Sequence, residues 1–286
     1  MWSLAELEEG CSKTGLSFPE VIIARDSERS GASPESIRKT MGSRLIDMER
    51  SVREALSGEH RGKFIGDDST LLETYGSKGS PLSGGLVIEA SRIALAVSTY
   101  NASMGRIVAA PTAGSCGIIP GMLFACNSLF PTPREKLVDA LVVAGGIGQV
   151  IARRATLAGT SGGCQAECGA AAAMGSAALV FLRGGSPEAI THGAGITIKS
   201  ILGLVCDPVA GLVEIPCVKR NGSLVSLGMI CADMALSGIR SAIPPDEIID
   251  AMRSVGNSLP DTLRETGMGG VAATPTGIRL KEEFSS

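Results

Sequence analysis

The amino-acid sequence predicts a mainly α-helical protein, on three observations. Apolar residues make up 44 % of the 286-residue chain, aromatics only 3 %, and Gly alone supplies 37 residues. Such a mix of Ala, Gly, Val, Ile and Leu suits helices whose backbones approach closely. Apolar residues recur at helical spacing between caps, whereas convincing alternating strands are scarce.

Taken in order, Ser33-Pro34-Glu35 offers a cap, a first-turn proline and an acid near the helix dipole. Ile37, Met41, Leu45, Met48, Val52 and Ala55 then run at helical spacing to Gly58. Residues Gly58 to Gly84 are polar and Gly/Ser-rich. They divide an N-terminal helical segment, residues 1–60, from a body at 75–286 expected to form one continuous domain with it. Thr132-Pro133-Arg134-Glu135 reads as a capping box opening a helix toward Thr156. Ser186-Pro187-Glu188 opens another through Ile190, Ile198 and Leu202, and Pro245-Asp246-Glu247 begins one ending near Gly256. Leu212 to Val218 reads as extended, although Pro216 argues against a central strand.

Net charge is −3 and no Lys/Arg run exceeds two, which gives no footprint for nucleic acid or an anionic membrane. The start, Met1 to Glu9, is acidic and lacks the basic and apolar regions of a signal peptide. The expectation is a cytoplasmic protein whose eight cysteines are reduced thiols or metal ligands. Residues Ile107 to Pro133 carry no charge, but Pro111, Pro120, Pro131 and Pro133 interrupt them, as does the Thr112–Ser115 turn. The uncharged run Cys168–Leu182 falls short of the roughly 20 residues a bilayer requires. Both read as buried core.

Free cysteine is among the most buried residue types, and Cys11, Cys126 and Cys231 fit that plain account. Cys164, Cys206 and Cys217 differ, because residues that shape a backbone border them. Cys164 follows Ser161-Gly162-Gly163 at an expected helix start, Cys206 precedes Asp207-Pro208 at an expected helix exit, and Cys217 follows Pro216. A thiolate at a helix N-terminus is stabilised by the dipole and free N–H groups. Three thiolates can hold three irons of a [4Fe–4S] cluster and leave the fourth open as a Lewis acid. Cys168, one helical turn beyond Cys164, and Cys116 are rival ligands.

Several motifs match something known. They are Tyr100-Asn101-Ala102-Ser103-Met104-Gly105, Pro111-Thr112-Ala113-Gly114-Ser115, Gly163-Cys164-Gln165-Ala166-Glu167, Cys206-Asp207-Pro208-Val209-Ala210-Gly211 and Pro216-Cys217-Val218-Lys219-Arg220-Asn221. Together they resemble the iron–sulfur-dependent L-serine dehydratases, and within them the alpha subunit of the two-subunit form. The C-x₄₁-C-x₁₀-C spacing and the tail motifs Arg264–Gly270 and Ala273–Gly277 carry the same resemblance. It implies that the helical body is the catalytic domain, with glycine-rich loops forming an iron–sulfur site at Cys164, Cys206 and Cys217. It implies deaminating dehydration of L-serine to pyruvate and ammonia, with a beta subunit as partner. Asn101, Thr112 and Ser115 are the expected substrate-binding residues, since amide, hydroxyl and turn N–H groups suit a carboxylate.

The catalytic residues stay unassigned. Of the two histidines, His60 lies in the polar linker and His192 on a helix, and neither sits in a base-positioning motif. The family's beta part carries a Ser-Ser-His-Thr type motif that this chain lacks. The C-terminal cysteine that single-chain relatives place on the cluster is also absent. Three alternatives remain at this level: an L-cysteine desulfidase-like lyase on the same cluster, a pyridoxal-phosphate serine/threonine dehydratase using Lys78 or Lys199, and a non-enzymatic iron–sulfur subunit with Cys168 as fourth ligand.

Overall fold

A computed structural model describes residues 3–285, of which 72 % is helix, with no strand beyond one bridge between Cys206 and Arg264. The helices are α1 (Leu4–Thr14), α2 (Phe18–Ser30), α3 (Pro34–Ser57), α4 (Asp68–Ser77), α5 (Gly84–Ala102), α6 (Ile118–Leu129) and α7 (Arg134–Arg154). They continue as α8 (Gly159–Gly162), α9 (Ala170–Leu182), α10 (Pro187–Lys199), α11 (Cys217–Leu236), α12 (Pro245–Ser258) and α13 (Pro275–Ser285).

Local chemistry sets the ends. Ser33 Oγ accepts from Ser36 N and Pro34 occupies the first turn, so α3 starts there and stops at Gly58. Ser186 Oγ caps α10 through Ala189 N in the same way. Several expectations need correction. α7 opens without the Thr132–Glu135 box; instead the Thr132 hydroxyl turns back onto the Phe130 carbonyl. α10 ends at Lys199, leaving Leu202 in the following loop. Val218 lies inside α11 rather than in an extended segment. The polar 58–84 stretch contains α4, whose start is fixed by Asp67 accepting from Thr70 N.

Helix α9 is the centre, with α6, α7, α10 and α11 all packed against it. Ala170, Ala171, Ala172 and Ala173 are fully buried, so the neighbours close onto α9 at short range. The stretch Gln165–Leu182 is long and apolar enough to cross a membrane, but 89 % of it is buried inside the protein. It is a core helix. The same economy of volume joins α5 to α6, where a Cβ on Gly121 would fall 2.6 Å from the Ala90 carbonyl oxygen. Helices α1 to α3 cap this body through apolar stripes such as Leu4, Leu7 and Cys11 on α1. Each fully buried Leu contributes roughly 1.5–3 kcal/mol. At one end of the bundle, a π-helical stretch, Gln165–Gly169, leads into α9 and meets the Ala113–Ser115 turn, α11 and α12.

Candidate active site

Three segments bring thiols to that end. Cys164 follows Gly163, whose φ of +75° is a turn that residues with a Cβ rarely adopt, and leads into the π-helical stretch. Such an inserted turn is a recurrent feature of functional sites. Buried Gln165 fixes it, donating to the Met252 carbonyl at 3.0 Å and accepting from Gly203 N at 2.9 Å.

Cys206 does not end a helix, which corrects the expected exit. Its backbone pairs with a segment far along the chain, donating to the Leu263 carbonyl at 2.9 Å and accepting from Glu265 N at 2.7 Å. Cys217 is the first residue of α11. One turn on, buried Asn221 donates to the carbonyls of Cys217 and Gly114 and accepts from Gly117 N at 3.1 Å. That side chain fastens the glycine-rich turn to the start of α11.

Charge completes the arrangement. Asp207 is buried, pairs with Arg220 at 2.8 Å and accepts from Val271 N at 2.7 Å, while Arg220 also holds the Val205 carbonyl. The Cys168 thiol donates to Cys164 and, with Arg220, holds the Cys164 thiol below its ordinary range against the effect of burial. Cys168 itself is pushed up. Burial raises Cys206, and raises Cys217 to about 12, with the Cys164 charge adding to each. Burial also raises the Glu167 carboxyl, opposed by a 2.5 Å hydrogen bond from Thr112 Oγ1. Neither Cys206 nor Cys217 therefore ionises alone at neutral pH; a strong local cation is what would deprotonate them.

Of the expected substrate-binding residues, Thr112 and Ser115 share one turn, and Asn101 at the end of α5 reaches it. Asn101 Nδ2 donates to the Ala113 carbonyl at 3.3 Å, and the Thr112 and Ser115 hydroxyl oxygens are 3.1 Å apart. The rival ligands separate. Cys116 is sealed in the core against the Val97 carbonyl, whereas Cys164, Glu167 and Cys168 offer ligand atoms within 4.8 Å of one another.

Neither histidine joins this group. His60 contacts the Glu54 carbonyl and Tyr100, and His192 accepts from Ser241 N at 3.0 Å. Lys199 reaches Ser241 and Lys78 caps α4, so the two lysines share no phosphate-cradling loop. Sequence reasoning gave no role to Gln165, Glu167, Asp207, Arg220, Asn221 or Glu265. Polar residues inside otherwise apolar motifs were the available signal.

Around Gly159 the site is closely packed. A Cβ there would lie 3.0 Å from Cys206 Sγ, 3.1 Å from Glu265 Oε2 and 3.3 Å from Glu167 Oε2. The Cys206 thiol is buried and has no hydrogen-bond partner among the described residues. The molecule is thus a helical protein with buried, soft-donor thiols and more accessible carboxylates grouped at one end of its core.

The chain belongs to the serine dehydratase alpha chain family, which it matches over residues 13–272. It is 45 % identical over 283 residues to the probable L-serine dehydratase alpha chain of Bacillus subtilis (strain 168), covering 99 % of this chain and 94 % of that one. Identity to the L-serine dehydratase alpha chain of Peptoniphilus asaccharolyticus is 42 % over 281 residues, or 98 % and 96 % of the two chains. A longer relative, L-serine dehydratase 2 of Escherichia coli (strain K12), is 32 % identical over 289 residues, which cover 94 % of this chain and 61 % of that one.

Proposed function

We propose that this chain is the cluster-bearing subunit of an L-serine dehydratase that yields pyruvate and ammonia, with Cys164, Cys206 and Cys217 holding a [4Fe–4S] cluster. One observation carries the reading: three buried thiols from three separate segments lie near enough at one end of the core for the Cys164 charge to raise both Cys206 and Cys217.

When bound, a cluster with three protein ligands supplies a Lewis-acidic iron that helps the substrate hydroxyl leave. The chain's own residues would do the rest. Asn101 and Ser115, with the backbone of the Ala113–Ser115 turn, orient the substrate carboxylate. Thr112 acts beside them by fixing the Glu167 carboxylate. The packed thiols and the apolar end of α9 exclude water. Loss of the α proton and hydroxide leaves an enamine, which hydrolyses to pyruvate and ammonia. The base that takes the α proton comes from a beta partner, which the alpha-chain names of the relatives imply. The test is anaerobic reconstitution with and without that partner, followed by pyruvate formation from L-serine. Iron uptake by the isolated chain and turnover on pairing are expected; a chain that takes up no iron overturns the proposal.

One observation favours an alternative ligand set. Cys168 lies against Cys164 and could complete a four-cysteine cluster with no open iron. Cys168→Ser would then change the cluster's absorption and lower its iron content, whereas with three ligands and an open iron it leaves both in place.

A further inference from the structure

Away from the thiols, a cavity of about 210 Å³ lies between α3, α6, α7, α9 and the segment Val108–Pro111. Its walls are apolar, built from Met41, Met48, Ile119, Leu141, Ala144 and Met174. Methionines recur among them, and their flexible thioethers adapt to varied ligand shapes. Arg44 is the one charged residue on the lining, and its side chain is exposed. Its ion pair reaches Asp47 at 4.0 Å, but that carboxylate also serves Arg50 at 2.5 Å and Arg106 at 3.5 Å. Three guanidinium groups on one carboxylate leave the Arg44 end of the cavity with an excess of positive charge.

Helix α7 shows that the space is not a packing accident of the whole face. A Cβ on Gly146 would fall 2.5 Å from Ile22, and one on Gly148 2.9 Å from Met174, so close packing demands both glycines. Gly145, on the cavity lining, has no such reason: a Cβ there would meet Met41 alone, at 3.9 Å. Glycine inside a helix weakens it relative to alanine, so the space is kept at the expense of helix stability.

We propose that this cavity binds an aliphatic monocarboxylate of about six carbons, its tail among the methionines and its carboxylate on Arg44. Size follows from volume. An apolar cavity of roughly 150 Å³ takes benzene, with six heavy atoms, so one of about 210 Å³ takes roughly eight. Charge follows from the arginine excess, which repels an ammonium group and favours a carboxylate. The inference stands apart from the dehydratase reading, since none of the lining residues is a proposed cluster ligand or substrate contact. The cavity wall nevertheless runs into the Thr112 turn: Pro111 precedes Thr112, and Ala110 N donates to the Thr112 carbonyl at 3.3 Å.

The experiment titrates the full chain under argon by calorimetry with three probes: hexanoate, acetate and hexylammonium. Hexanoate should bind about 100-fold more tightly than acetate, which lacks four methylenes, and about tenfold more tightly than hexylammonium, which carries the opposite charge. Arg44→Gln should weaken hexanoate by about threefold to fivefold and narrow its lead over hexylammonium. Gly145→Leu should fill the cavity and weaken hexanoate by more than about tenfold without lowering Tm. Arg44 is exposed, so its variant reads the proposal even where the Gly145 change disturbs folding. No hexanoate binding, no preference for hexanoate over either other probe, or unaltered hexanoate binding in either variant would overturn the proposal.

Discussion

Two polar clusters interrupt the apolar interior, and they differ in what their groups are attached to. One joins Cys164, Cys206 and Cys217 with Glu167 and Glu265. The other is a seam where α1 meets α10 and α12, around a cavity of about 260 Å³ lined by Glu8, His192, Ser241 and Asp246. By residue type the seam is the more catalytic in character, with a histidine, two carboxylates and a hydroxyl. Yet its groups satisfy one another. Ser241 N donates to His192 Nδ1, Thr191 donates to Glu8 at 2.5 Å, and the Asp246 carboxylate accepts from Leu4 N and Ala5 N to cap α1. In the thiol cluster the Cys206 sulfur and one carboxylate oxygen each of Glu167 and Glu265 meet beside Gly159 without a hydrogen-bond partner among the described residues. Unpartnered groups, not residue type, separate a site from a seam.

The largest effect should come from the thiols. Cys164→Ser, Cys206→Ser and Cys217→Ser should each lose most of the iron and more than about 100-fold in turnover, since even outer-shell changes cost about 10–100-fold. Cys11→Ser and Cys126→Ser, equally buried but in apolar stripes, should keep both. Iron and pyruvate assays decide; full iron retention in Cys206→Ser would erase the distinction between the two kinds of cysteine. Next in size is the partner. If no group of this chain serves as base, turnover on L-serine should rise by about 10²–10⁴-fold on adding the beta subunit at matched cluster content. Equal rates would place the base in this chain.

Stability should separate the clusters a third way. Arg220→Met leaves Asp207 buried and unpaired, and breaking such a pair costs about 3–5 kcal/mol. Asp246→Ala at the seam removes a helix cap and should cost about 1 kcal/mol. Denaturant unfolding under argon measures both; a loss at Asp246 as large as that at Arg220 would mean the seam carries as much strain-sensitive charge as the site.

How much of this was legible in the sequence follows from distance along the chain. The bounds of α3 were readable because Ser33, Pro34 and Gly58 act on their own neighbours. Gly and Pro neighbours drew attention to Cys164, Cys206 and Cys217, whereas Cys168, which packs against Cys164, had only its helical spacing to announce it. Helix α4 escaped because it has little apolar periodicity, its start resting on Asp67 alone. The bridge that holds Cys206 was invisible, since its partner lies at Arg264. Asn221 and Glu265 were equally silent: one bonds Gly114 across 107 positions, and the other takes its direction from a backbone angle no local motif announces.

The smallest predicted effect tests whether the seam is only structural, and it turns on pH. Burial lowers the His192 pKa from its usual 6.5, with Arg240 and Lys199 lowering it further and Glu188 opposing. Since Nδ1 accepts from Ser241 N, protonation would also break that hydrogen bond. The unfolded chain thus binds this proton more readily, and as pH falls below 6.5 stability is lost until the folded histidine also titrates. Glu8 runs the other way. Burial raises its carboxyl above 4.5 against the Thr191 hydrogen bond, and Glu188 and Asp246 add to the rise while Arg240 opposes it. Its contribution is present below pH 4.5 and is lost as pH rises through the folded value. Consequently His192→Gln should flatten the fall in Tm on acidification below 6.5, and Glu8→Gln the fall on raising pH above 4.5. Neither should alter the pH profile of turnover. A shifted kcat profile in His192→Gln would move the base to this seam, and would make the more conventional cluster the working one after all.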